Sequence, residues 1–336
     1  MPPTPDFSAR AREVLALDPA AEIARIVAAL RHQVGEVLTR RGLVIGMSSG
    51  VDSSVCAALA VQAFGPKRVF GLMMPEHDSD ALSTPLAQRL ADQLGITHTV
   101  EDISAALEAV GCYQRRNDAI REAVPEFRDD WACKIVLPGA RLDSDRLNVY
   151  SMAVRPPGGE VRTVRLPAHA YLAIVAATNF KQRIRKMLEY HHADRLHYAV
   201  TGTPNRLEYD QGFFVKGGDG LADVKPIAHL YKTQVYILAD FLGVPKEITS
   251  RPPTTDTYSL PQTQEEFYFS LPAAAMDLVL YARNAGQSPG TAAVTLGLSA
   301  EQVARAFRDL DQKRATTRYL HERPLLVEPV PLASHA

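Results

Sequence analysis

The chain has 336 residues, 46% of them hydrophobic and 22% charged, with a formal net charge of −1. That balance supplies a large core and argues against a polybasic surface for nucleic acid or anionic lipid. Three scattered cysteines (Cys56, Cys112, Cys133) and the lack of a long apolar run argue against a disulfide framework, a cysteine zinc site and a membrane span, and point to the cytoplasm.

Apolar positions Ile23, Ile26, Val27, Leu30, Val34 and Leu38 recur at helical spacing and predict one or two amphipathic helices over 7–40. Leu43, Val44 and Ile45 then predict a buried strand, Ser48-Ser49-Gly50 a tight loop, and 55–61 the helix it feeds. Such a helix N-terminus is a ready anion site, because its N–H groups point outward and its dipole favours negative charge. Gly46, Ser48, Ser49, Gly50, Val51 and Ser53 are the candidate phosphate contacts, with Gly50 allowing close backbone approach. A carboxylate beside a phosphate would repel it, so Asp52 is expected to hold a divalent cation that bridges the two. Neither a Gly-Lys-Ser/Thr nor a G-x-G-x-x-G pattern is present here, so this is not a Walker A or dinucleotide loop. The alternative is an ordinary serine-rich helix cap.

Further along, 68–74 and 97–100 predict strands on either side of a helix at 86–94 that stops at Gly95. The alternation indicates an α/β fold, a parallel sheet with helices on both faces, whose ligands bind beyond the carboxyl ends of the strands. Segments 105–110 and 117–124 are helix candidates, and a Gly/Pro turn at 155–159 joins 149–154 to 161–166 as a β-hairpin. With the single Trp131, this stretch (104–168) is expected to be an insertion, either a lid or a dimer element, in an otherwise single domain of 1–336. A helix over 170–190 carries Lys181, Arg183, Arg185 and Lys186, expected to form a solvated basic face. A strand at 198–201 follows, then a glycine-rich stretch at 212–220 that is either flexible or meets a ligand. Helix 232–242 ends at Gly243 and Pro245, residues 250–264 are irregular, and 292–297 and 300–310 are helical runs in a C-terminal helical segment over 285–325. Adjacent His191 and His192 point in different directions on a helix, which argues against a shared metal.

The loop Ser48-Ser49-Gly50-Val51-Asp52-Ser53 resembles the SGG-[IV]-D-S pyrophosphate loop of Rossmann-like ATP pyrophosphatases that adenylate their substrates, with Ser49 in place of the first Gly. The downstream motifs resemble the NAD synthetase family. Asn179-Phe180-Lys181-Gln182-Arg183-Ile184-Arg185 is similar to its N-x-K-A-R-x-R helix, and the segment from Gly202 and Thr203 to Glu208 to its G-T-x-N-x-x-E. Lys216-Gly217-Gly218-Asp219-Gly220-Leu221-Ala222-Asp223 is similar to K-Y-G-D-G-G-x-D, with Gly217 for Tyr and Leu221 for Gly. Lys232 stands at the lysine of L-x-K, and Pro253-Thr254 at P-[ST]-A.

This resemblance implies an ATP-dependent amide-forming ligase. A substrate carboxylate takes AMP from ATP, pyrophosphate leaves, and ammonia displaces AMP. The expected substrates are deamido-NAD, ATP and ammonia. By the same resemblance Asp52 and Glu208 hold Mg²⁺; the loop, Thr203, Lys232 and Thr254 bind ATP and pyrophosphate; Lys216 neutralises a phosphate; and Arg183, Lys216, Asp219 and Asp223 position the acid. Asp52, Lys216, Lys232 and Thr254 are the catalytic candidates. Ammonia is expected free or from a separate glutaminase, the assembly a homodimer, and nucleic acid or membrane no partner. The long insertion and the weak match of 262–269 to Q-T-D-E-x-E-L-G leave open a relative that amidates another carboxylic acid. A non-catalytic ATP-binding protein, or an ATP pyrophosphatase acting on tRNA, is a further alternative.

Overall fold

The computed structural model describes residues 6–137, 150–252, 257–263, 268–269 and 271–330. Two short helices open it, α1 (Phe7–Val14) and α2 (Pro19–Arg31), each started by an aspartate whose side chain accepts from first-turn N–H groups. The last predicted turns, His32–Val37, widen into a π-helix in which Leu38 N bonds Gln33 O. Then follow β1 (Leu43–Gly46), α3 (Val51–Phe64), β2 (Val69–Met73), α4 (Ser83–Leu94) and β3 (Thr97–Val100). Next are α5 (Ser104–Ala109), α6 (Cys112–Arg121), β4 (Ala132–Val136), β5 (Ser151–Arg155) and β6 (Arg162–Arg165). The chain continues through α7 (Ala168–Leu196), β7 (Ala199–Thr201), α8 (Arg206–Gln211), α9 (Lys232–Phe241) and α10 (Lys246–Thr249), and then α11 (Ala273–Asn284), α12 (Pro289–Leu296) and α13 (Ala300–His321).

The main sheet has the order β3-β2-β1-β7 and every pairing in it is parallel. Its central strands β1 and β2 are buried through Leu43, Ile45, Val69 and Met73, which pack with α2, α3 and α9 residues such as Leu30, Leu59 and Leu238. Residues on the opposite face of the same strands, Val44 and Phe70, pack with Ala193 of α7, so the sheet is covered on both faces. A separate core joins α1, α11, α12 and α13. All three cysteines are free and buried. Among the described residues no helix is long and apolar enough to cross a membrane.

Three features differ from the sequence expectations. The hairpin is the outer part of an antiparallel sheet, β4-β5-β6, in which Cys133↔Val154 and Ile135↔Met152 are register partners. The alternation of Ala132–Val136, with Cys133 and Ile135 turned inward, carries that signal in only five residues. The expected basic face of α7 is half internal: Lys181 is 1% exposed and Lys186 4%. Finally, α13 runs to His321, far past 310; its last turns carry no apolar period from which the extension could be read. The start of the predicted strand, Val149, lies outside the described residues.

Candidate active site

A cavity of about 530 Å³ opens at the carboxyl ends of β1, β2 and β7, within the usual range for small-molecule sites, roughly 300–1,000 Å³. Its floor is the loop after β1. Gly46 ends the strand, and a Cβ there would come within 2.8 Å of Glu189 Oε1. Ser49 takes the left-handed conformation (φ 60°), which a side chain rarely adopts. Its hydroxyl accepts a hydrogen bond from Arg251 Nη1 at 3.1 Å, and Arg251 Nη2 donates to Asp80 Oδ2 at 2.8 Å. The Ser53 and Ser54 hydroxyls turn back to Gly50 O at 3.0 and 2.8 Å. Gly50 is the N-cap of α3 and brings no side-chain hydrogen bond, so the first-turn N–H groups of a long buried helix face the cavity.

Two elements converge on Asp52 of α3. Lys232, the first residue of α9, forms an ion pair with its Oδ2. Asn205 Nδ2 donates to its Oδ1 at 3.2 Å. Asn205 is in turn the N-cap of α8, accepting from Leu207 N and Glu208 N at 3.0 and 3.2 Å, while Glu208 Oε2 accepts from Asn205 N at 3.2 Å. This capping box turns the Asn-x-x-Glu spacing into a rigid corner beside Asp52. Burial works against the Lys232 charge, but the fields of Asp52 and Glu208 overcome it and hold the ammonium above its ordinary range. Two carboxylates beside a helix N-terminus form an oxygen donor set suited to a hard divalent cation shared with phosphate. Beneath them, buried Asp277 of α11 accepts from Lys232 N (3.2 Å) and Thr233 N (2.7 Å), capping α9 from outside its own segment. Burial pushes the Asp277 carboxyl up to about 6, and the Thr233 and Lys232 N–H groups limit the rise.

The opposite wall is α7 and the glycine-rich stretch. Gly46, Ser48, Ser49, Gly50, Val51, Asp52, Ser53, Thr203, Glu208 and Lys232 line the cavity together with Arg183, Lys216 and Asp219. Burial raises the Asp219 carboxyl, and its Oδ1 accepts from Val215 N at 2.8 Å. Glu189 is raised by burial as well, partly offset by its ion pair with Lys186 at 2.6 Å. Lys216 Nζ caps the end of α13, donating to Tyr319 O at 2.6 Å and Glu322 O at 3.3 Å, and Arg183 Nε donates to Lys216 O at 3.3 Å. Asp223 is not among the lining residues; its carboxylate accepts from Val200 N at 2.7 Å and from the Tyr190 hydroxyl at 3.2 Å. Thr254 lies outside the described residues.

Sequence reasoning missed Asn205 as a holder of Asp52, Arg251 as a clamp on Ser49, and buried Lys181. Lys181 Nζ bonds Glu76 Oε1 at 2.9 Å, Asp78 Oδ2 at 2.6 Å and Thr257 O at 2.7 Å. Asn205 lay inside a motif already singled out; the partners of Arg251 and Lys181 are too distant in sequence for any spacing rule.

A family model described as NAD synthase matches residues 22–128 and 161–319. The NH3-dependent NAD(+) synthetase of Mesorhizobium japonicum is 58% identical over 313 residues, 93% of this chain and 98% of that protein. The enzyme of the same description from Rhizobium meliloti is 57% identical over 318 residues, 95% of each chain. Among solved structures, an NH3-dependent NAD synthetase from Campylobacter jejuni shares the fold, with a TM-score of 0.60 at 19% identity over 93% of this chain and 100% of that one.

Proposed function

The chain belongs to the NAD synthase family, and from that premise we infer that it converts deamido-NAD, ATP and ammonia into NAD, AMP and pyrophosphate. The observation that carries the reading at the level of the site is the meeting of Asp52, Lys232 and the Asn205–Glu208 corner at the N-terminus of α3. A carboxylate oxygen of deamido-NAD attacks the α-phosphorus of ATP and pyrophosphate departs. Ammonia then attacks the acyl carbon, loses a proton, and AMP leaves with that oxygen.

Each group has a physical task in this scheme. The N–H groups of the 48–53 loop and the α3 dipole stabilise the charge that gathers on the departing pyrophosphate. Lys232 stays protonated in the field of Asp52 and Glu208 and so remains a cation as phosphate enters. Asp52 and Glu208 would hold Mg²⁺, which when bound neutralises phosphate oxygens. Thr203 lines the same lobe, and the resemblance assigns Thr254 there too. Arg183, Lys216 and Asp219 face the remaining volume, where the acid would lie. Asp223 supports that lobe through β7 and Tyr190. The reading extends to a homodimer, for which the exposed apolar side chains Leu172 and Met187 of α7 are candidate contacts. It also extends to free ammonia or a separate glutaminase as the nitrogen source, and to the cytoplasm, which suits three buried free thiols.

The test is product stoichiometry with Mg²⁺ and ammonium present. NAD, AMP and pyrophosphate are expected in equal amounts and only with deamido-NAD. Asp52→Asn should lower pyrophosphate release by about 10²-fold or more, the scale for a lost charge-stabilising group. Release that ignores deamido-NAD, or an unaffected Asp52→Asn enzyme, contradicts the reading.

A further inference from the structure

We infer that the antiparallel sheet β4–β6 is a mount for segment 257–262, whose Thr257 and Tyr258 line the cavity, and that β4 positions these two residues for the acid substrate. The inference rests on the function above for the identity of that substrate. The strand β4 pairs with β5 along one edge. Its other edge is covered by the segment. Leu260 N donates to Cys133 O at 3.1 Å, and Cys133 N donates to Ser259 Oγ at 2.9 Å. The Gln262 side chain donates to Ile135 O, and Lys134 Nζ donates to Pro261 O at 2.9 Å. An otherwise open strand edge is thus used up by residues 259–262, which directly follow the cavity-lining Thr257 and Tyr258.

The segment is anchored at its other end as well. Thr257 O accepts from Lys181, the buried cation that also holds Glu76 and Asp78. Between the two anchors, Tyr258 is 5% exposed in a core built from Ile135, Met152 and Val154 of the sheet and Ala170 and Ile174 of α7. Thr257 and Tyr258 line the cavity beside Thr178, Asn179 and Arg183 of α7, the wall assigned to the acid.

The strands β4 and β5 fall within 129–160, the residues that the family match leaves out, whereas segment 257–262 lies inside the match. A shared active-site segment is therefore held by a part of the chain that the family does not define. A segment fixed through its main chain does not have to be ordered by the substrate, so its ordering cost is removed from binding. The sheet is accordingly a positioning element for the acid and takes no part in the chemical steps.

The experiment compares wild type with the double variant Lys134→Ala/Gln262→Ala. Amide hydrogen exchange is followed without ligands, and kinetics with deamido-NAD and ATP varied separately. The wild-type Leu260 amide is expected to be protected before any substrate is added, and the variant to lose that protection. The KM for deamido-NAD should rise roughly tenfold, with kcat and the KM for ATP within about twofold, as expected when ordering is charged to one substrate. Unprotected Leu260 in ligand-free wild type overturns the mount, and lost protection with an unchanged KM for deamido-NAD overturns the positioning role. If the double variant does not fold, Lys134→Ala alone gives the same readouts. Failure of wild type to form NAD would count against the function, while the exchange measurement, which needs no turnover, still decides the mount.

Discussion

At the residue scale the phosphate loop turns on Ser49. The family pattern has Gly there; this chain keeps the left-handed backbone that a Gly would allow, at φ 60°, and adds a hydroxyl held by Arg251. A non-glycine residue in that region costs roughly 1–2 kcal/mol, and one hydrogen bond returns about 1 kcal/mol. Ser49→Gly should therefore change stability little and keep turnover near wild type. Ser49→Val, β-branched and without the hydroxyl, should be destabilised by about 2 kcal/mol or more and lose most adenylation. Urea unfolding and pyrophosphate release on the pair check this; a fully active Ser49→Val would show that the loop is not constrained at this residue. Asp52, Glu208 and Lys232 could be recognised from their motifs, but the reason each is rigid could not. Asp52 is fixed by Asn205 and Lys232, and Lys232 by Asp277, through contacts spanning between 45 and 180 residues of sequence.

At the element scale, helix termini and buried ions set the geometry. Lys181 ties α7 to the loop after β2 and to Thr257. Lys181→Met leaves buried Glu76 and Asp78 without that cation, although Tyr113 and Arg116 still hold them. Breaking a buried ion pair by removing one partner costs about 3–5 kcal/mol, so the urea midpoint should fall with an unchanged slope. A midpoint equal to wild type would mean that the cluster contributes nothing net. Asp277 makes the α9 N-terminus sensitive to pH. Its carboxyl is raised to about 6 in the folded protein, so the stability it contributes is full below the unfolded value, near 4, and is lost as pH rises through about 6. The stability of wild type relative to Asp277→Asn should fall by roughly 1 kcal/mol between pH 5 and 8; a flat difference contradicts the raised value.

The elements themselves were unequally legible. The central strands β1 and β2 are apolar runs, and α4 and α9 end at glycines, so these could be read locally. Lys181 of α7 read as part of a solvated face because its partners Glu76 and Asp78 lie about a hundred residues away. The strand β4 was too short to stand out, and only its pairing with β5 makes it a strand.

At the scale of the whole molecule, function follows from strand order. Placing β7 beside β1 puts the Gly202–Glu208 motif next to the Ser48–Ser53 loop, although about 150 residues separate them. Ligands of open parallel sheets bind in such crevices beyond the strand ends. The separate α1–α11–α12–α13 core then supplies Asp277 beneath α9 and the α13 end that Lys216 caps. The central claim is that the acid's own carboxylate attacks ATP at this crevice. Deamido-NAD labelled with ¹⁸O in its nicotinate carboxylate tests it most directly. The account predicts one labelled oxygen in the AMP released with each NAD and none in pyrophosphate; unlabelled AMP alongside NAD would contradict adenylation of the carboxylate.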